Sequence, residues 1–130
     1  MGIERFGVAA KGPGDRTMPF SRAVRAGDFV FASGQIPIGP DAEVVPGAIV
    51  EHSEQTILNL ISALDEAGAR LDQVVKCTVW LEDARDFASF NRVFLKYFGA
   101  HMPARACVES RLVIAGKVEI DAIAYVGSAK

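Results

Sequence analysis

Residues Val74–Leu81 alternate as a β-strand does, yet they carry large apolar side chains on both faces, and this restricts the folds open to the chain. Val75, Cys77, Val79 and Leu81 fall on one side of such a strand, Val74 and Trp80 on the other. The run Phe29–Ser33 repeats the pattern, with Phe29 and Phe31 opposing Val30 and Ala32. Strands of this kind belong in a sheet that is covered twice. Only two helical patterns are available to cover it. From about Val50 to Ala67, the residues Ile57, Leu60, Ile61, Leu64 and Ala67 recur at helical spacing, and Gly68 suits a C-terminal cap. From about Ala84 to Phe98, the residues Phe87, Phe90, Phe94 and Phe98 make an aromatic stripe. Asp83 stands where an N-cap would, and Asp86 falls in the first turn, where the helix dipole favours a carboxylate. The stripe has the period of burial against a sheet, so a core role is expected rather than a stacking platform.

The other elements are strands. Phe20–Val24 and Phe29–Ser33 read as the arms of a hairpin around Arg25-Ala26-Gly27-Asp28. Gly34 and Pro37 end the second arm, and Gly39-Pro40-Asp41 and Pro46-Gly47 mark a loop. Pro103–Glu109 and Lys117–Asp121 alternate as two further strands. The first seventeen residues, with their glycines, charges and a proline, are expected as an irregular or weakly paired lead-in. The order is β-β-α-β-α-β-β in a single α+β domain spanning residues 1–130, a mixed sheet with both helices on one face. The uncovered face calls for another partner, and a homo-oligomer with open sheet faces turned inward is the simplest solution.

Composition removes several functions. The chain has 130 residues, enough for a core without disulfides or metal. Its net charge of −2 and lack of a basic aromatic strip argue against nucleic acid as a partner. No apolar run is long enough to span a bilayer, and the start has no basic stretch followed by an apolar block, so a cytoplasmic chain is expected. Cys77 and Cys107 lie far apart, and with His52 and His101 they form no metal-ligand spacing, so reduced thiols and no zinc are expected.

Chemistry gathers on the last two strands. Arg105, Cys107 and Glu109 share one face of the first, and Lys117, Glu119 and Asp121 share one face of the second. An arginine fork suits a substrate carboxylate, and a nearby glutamate can orient or deprotonate water. A solvated sheet face with cross-strand ion pairs accounts for the same residues.

Five segments together resemble the YjgF/RidA family of reactive-intermediate (enamine/imine) deaminases. They are Phe31-Ala32-Ser33-Gly34-Gln35-Ile36-Pro37, Val75-Lys76-Cys77-Thr78-Val79, Phe87-Ala88-Ser89-Phe90-Asn91, Pro103-Ala104-Arg105-Ala106-Cys107-Val108-Glu109 and Val118-Glu119-Ile120-Asp121-Ala122-Ile123-Ala124. The resemblance runs from about Pro19 to Val126. It implies a chorismate-mutase-like fold, a homotrimer with sites in the clefts between subunits, and cofactor-free hydrolysis of 2-aminoacrylate and related enamine/imine acids to 2-keto acids and ammonia. It makes Arg105 the residue that binds the substrate carboxylate and Glu119 the one that positions the attacking water. Cys107 would contact substrate through its main chain and thiol, as a wall rather than a nucleophile. Ser33 and the Gly34 backbone would line the pocket, with Phe20 and Asn91 also at the cleft. Phe90 or Asn91 would come to it from the neighbouring chain.

The chain also departs from that family. Met18-Pro19-Phe20 stands where a Gly-Pro-Tyr segment is common, so a ring remains without its hydroxyl. Val113-Ile114-Ala115-Gly116 replaces a proline-containing turn. Bulkier imino acids, or an amino-dienoate such as 2-aminomuconate, fit these changes as well as 2-aminoacrylate does. Two other functions share the frame: a non-catalytic carboxylate-binding or regulatory trimer, and an RNA-directed endoribonuclease or translation inhibitor.

Overall fold

The computed structural model describes residues 2–127. Strands β1 (Ile3–Phe6), β2 (Ala23–Ala26) and β3 (Phe29–Gln35) are followed by helix α1 (Ile49–Glu66), strand β4 (Val74–Leu81), helix α2 (Phe87–Phe98) and strands β5 (Ala104–Glu109) and β6 (Val118–Tyr125). The architecture is α+β, a six-stranded sheet in the order β1-β2-β3-β6-β4-β5. Only β4 and β5 are parallel, with α2 as the crossover between them, which makes the sheet mixed. None of the helices is long and apolar enough to cross a membrane.

Local signals explain most of these boundaries. Gly27 closes the β2–β3 turn at φ 60°, which needs no Cβ. At the end of α1, Gly68 takes φ 82° while the Ala69 amide donates to the Leu64 carbonyl. At its start, Glu51 accepts from the Ala48 amide at 2.8 Å. Asp83 accepts from the Arg85 amide at 2.9 Å, and it caps a single 3-10 turn, Ala84–Asp86, so that α2 proper begins at Phe87. The Arg85 side chain and amide hold the Asp83 carboxyl down at about 2.

Both helices pack on one face. Val30, Ala32, Cys77, Val79, Leu81, Val118, Ile120, Ala122 and Ala124 point to it and none is more than 6% exposed. The core continues into Ile57, Leu60 and Leu64 of α1 and Phe90, Phe94 and Phe98 of α2. The opposite face is open. Phe29, Phe31 and Tyr125 remain 42%, 43% and 41% exposed there.

Four details differ from the sequence reading. Ile3–Phe6, expected within an irregular lead-in, is an edge strand paired with β2 along its length. The hairpin arms begin at Ala23 rather than Phe20, and Arg25 and Ala26 belong to the strand. Val75 is exposed instead of sharing the buried side with Cys77, because the register against β6 slips by one between Val74 and Lys76. The fourth difference shapes the site. β5 and β6 are not neighbours, since β4 lies between them.

Candidate functional site

Register decides where the charged residues point. In the parallel β4–β5 pair, Arg105 lies beside Cys77 and Cys107 beside Val79, so both face the helices. In the antiparallel β4–β6 pair, Glu119 lies beside Trp80. Cys77 and Trp80 are three residues apart on one strand and project oppositely. Arg105 and Glu119 therefore leave opposite faces of the sheet, and the chain carries two separate groups of candidate residues.

The first group is built on Arg105. Its Nη2 donates to Asn91 Oδ1 at 2.9 Å. Its Cζ lies 4.7 Å from the centroid of the Phe94 ring, 5.5 Å from Phe90 and 5.7 Å from Phe87. Among the described residues no carboxylate lies within ion-pair distance of it. Glu109, on the same strand face, is turned away, its Oε2 accepting from the Ala84 amide at 2.7 Å ahead of α2. Asn91 and Phe90 meet Arg105 within one chain. Beside the arginine, Cys107 is half-buried, and burial raises its thiol's pKa against the opposing pull of Arg105. A protonated thiol is a much weaker nucleophile than a thiolate. Behind it Cys77 is fully buried, and burial pushes its thiol up to about 12.

The second group surrounds a cleft of about 480 Å³ at Glu119, lined also by Phe20, Gly34, Gln35, Met18 and Lys11. Glu119 is half-buried and makes no hydrogen bond or ion pair to a described residue. Burial, and then the neighbouring Asp121 charge, raise its pKa above the ordinary carboxylate value. Asp121 is itself engaged, accepting from the Thr78 amide at 3.0 Å. Gly34 makes room for Glu119. A Cβ at that position would overlap Oε2 and lie 3.0 Å from Cδ. The β3 register also slips between Ala32 and Gln35, a bulge that re-aims the chain beside the carboxylate.

Of the residues singled out from sequence, the structure thus gathers Phe20, Gly34 and Glu119 in one place and Arg105, Asn91 and Cys107 in another. Ser33 does not line the cleft. Its hydroxyl donates to the Ser21 carbonyl at 2.6 Å and its amide to the Arg22 carbonyl at 2.9 Å, which pins the hairpin at the bulge. The histidines are elsewhere: His52 Nε2 donates to the Val45 carbonyl at 2.9 Å and Nδ1 accepts from the Lys117 amide at 3.2 Å. Among the described residues no three His, Cys, Asp or Glu side chains converge as a metal site would require. Sequence reasoning did not single out Gln35, Met18 and Lys11 as lining residues, although Gln35 and Met18 lie inside segments already set against the family. It also missed that the aromatic stripe, while buried in the core, surrounds Arg105. The signal for that was Asn91 lying inside the stripe.

One face of the sheet thus carries an arginine without a carboxylate partner among the described residues, and the other an unpaired, half-buried carboxylate. The family whose model matches residues 13–126 is described as Endoribonuclease L-PSP. A RutC family protein of Pyrococcus abyssi is 49% identical over 109 residues, covering 82% of this chain and 86% of that one. A mouse protein named 2-iminobutanoate/2-iminopropanoate deaminase is 39% identical over 111 residues, covering 84% and 82%. The crystal structure of Escherichia coli TdcF with bound serine superposes with a TM-score of 0.79 at 34% identity, over 88% of this chain and 93% of that one. The chain belongs to the YjgF/RidA/RutC family.

Proposed function

We propose that the protein hydrolyses enamine and imine acids such as 2-aminoacrylate to 2-keto acids and ammonia, without a cofactor, in sites shared between the chains of a homotrimer. One observation carries this reading. A guanidinium without a carboxylate and a carboxylate without a cation stand on opposite faces of the same sheet. A second copy seated on the open face, where Phe29, Phe31 and Tyr125 are exposed, would bring one chain's Arg105 toward another's Glu119. The mouse relative's name supports the reaction, and the serine bound to TdcF supports a small amino-acid-like ligand with a carboxylate.

The chemistry needs few groups. Protonation of the enamine carbon gives an imine whose C2 is electrophilic. Arg105 fixes the carboxylate through its fork, which orients C2. Water adds to C2 as Glu119 takes one of its protons and passes it to nitrogen, giving a carbinolamine; transfer of the remaining hydroxyl proton to nitrogen by way of Glu119, as the C–N bond breaks and the C=O bond forms, releases ammonia and leaves the 2-keto acid. Glu119 is suited to this exchange because its raised pKa brings it nearer the working pH than an ordinary carboxylate. Cys107 shapes the wall beside Arg105, and Phe20 gives the Glu119 cleft an apolar surface. The family's endoribonuclease description offers a second reading, but neither group of residues contains a histidine and the chain is acidic overall.

The test is release of ammonia and pyruvate from freshly generated 2-aminoacrylate, against the spontaneous rate in buffer. Acceleration that saturates with substrate supports the proposal. A folded protein that leaves the spontaneous rate unchanged refutes it.

A further inference from the structure

Arg105 is held entirely by neutral groups, and this arrangement calls for its own explanation. A partly buried guanidinium ordinarily draws a carboxylate, because burying an unpaired charge is costly. This one meets an amide oxygen at 2.9 Å and three ring faces at 4.7, 5.5 and 5.7 Å. Rings attract the cation through their quadrupoles without neutralising it. Asn91 matters for the same reason: its Oδ1 fixes the plane of the fork and leaves the charge in place. The clamp comes from one stretch of one helix. Phe87, Phe90, Asn91 and Phe94 recur every three or four residues, so they share the α2 face that packs toward β5. Phe90 and Phe94 are buried, whereas Phe87 is 47% exposed at the rim.

We propose that Phe87, Phe90, Asn91 and Phe94 are positioning residues forming a neutral clamp that keeps the Arg105 charge available to a substrate carboxylate. Phe87 is the rim element that closes one side of this carboxylate site. The inference rests on the reading of Arg105 as a carboxylate binder and adds what makes it competent. Swapping the amide for a carboxylate would satisfy the guanidinium internally and set the protein in competition with its own substrate. Removing the Phe87 ring would loosen the fork while leaving the buried rings intact.

The experiment uses the intact protein and four variants: Arg105→Ala, Asn91→Asp, Phe87→Leu and Phe87→Trp. KM and kcat are measured with an imino acid generated in situ. Binding of pyruvate and of its neutral amide, and thermal unfolding, are followed in parallel. Asn91→Asp is nearly isosteric and should raise KM at least 10-fold and weaken pyruvate binding to match, with binding of the neutral amide unchanged. Phe87→Leu should raise KM roughly 2- to 5-fold as the fork loses its rim support, with kcat within 2-fold and a melting temperature lowered by no more than about 5 °C, the most that one exposed cation–π contact is worth to a fold of this size. Phe87→Trp should restore the wild-type KM. An unchanged KM in Asn91→Asp, or equal weakening of pyruvate and its amide, overturns the clamp. Should Arg105→Ala itself keep the wild-type KM and pyruvate affinity, the carboxylate reading falls and the clamp falls with it. Loss in Arg105→Ala with no change in Asn91→Asp or Phe87→Leu overturns the clamp alone.

Discussion

Replacing Gly34 by alanine isolates the placement of one carboxylate from the stability of the fold. The added Cβ would lie 3.0 Å from Glu119 Cδ and 3.3 Å from Cγ, with Oε2 closer still. Ordinary carbon–carbon contact is about 3.5–4.0 Å, so the carboxyl must retreat by about 0.5–1 Å. The atoms it meets are the far end of a flexible side chain, and Gly34 is not in the left-handed region, so the backbone tolerates alanine. Loss of unfolded-chain entropy on Gly→Ala contributes about 0.4–1 kcal/mol of stability, which offsets the crowding. Net stability should thus stay within about 1 kcal/mol of wild type, a melting shift of only about 4–8 °C at most. A misplacement of about 1 Å at a reacting group can cost on the order of 100-fold in rate. Gly34→Ala should therefore lower kcat/KM for 2-aminoacrylate by about 10- to 100-fold in a protein that unfolds normally. Ammonia release and a thermal melt on the same preparation give both numbers. Full activity would refute the claim that Glu119 acts from this position. Activity lost together with a larger fall in melting temperature would show that glycine serves the bulge and not the carboxylate.

Other outcomes follow from the same geometry. Arg105→Ala should lower kcat/KM by about 30-fold or more, since truncating one side of a charge-assisted pair costs on the order of 2–5 kcal/mol, and Arg105→Lys should recover little of it without the planar fork; steady-state kinetics of both variants check this. Because the folded-state pKa of Glu119 is raised, its ionisation opposes folding, and the protein loses stability as pH rises through that value. Glu119→Gln should then melt higher than wild type at pH 7, with the difference shrinking in acid below the ordinary carboxylate range, while turnover is lost; equal melting curves at pH 7 would contradict the assignment of a destabilising carboxylate. For the same reason wild-type turnover should rise with pH through the raised Glu119 pKa, and a pH–rate profile that is flat across the mildly acidic range would count against Glu119 as the base. Light scattering should report the mass of three chains, and Phe31→Glu on the open face should yield smaller species with low activity; a wild-type protein of single-chain mass at dilute concentration would remove the shared-site reading.

Much of the chain was legible without the fold because its signals are local. The 3.6-residue recurrence of Ile57, Leu60 and Leu64 and the Phe87–Phe98 stripe mark the helices, Gly68 and Asp83 mark ends, and alternation marks β3, β4 and β6. The open apolar sheet face was legible too, since a strand apolar on both faces declares itself in its composition. The candidate site residues Arg105 and Glu119 could be named from their strands and from the resemblance these segments carry. Their relation could not. Whether two strand residues share a face depends on which strand lies between them and on the parity of two registers, and those are set by pairings made across the whole chain. The insertion of β6 between β3 and β4 carries no local signature, nor do the one-residue slips at Val75 and at Ser33-Gly34. Recruitment of Ile3–Phe6 to the edge likewise depends on a partner strand twenty residues away. Only the packed sheet decided that the arginine and the glutamate face opposite ways, because only there does strand order turn alternation into direction.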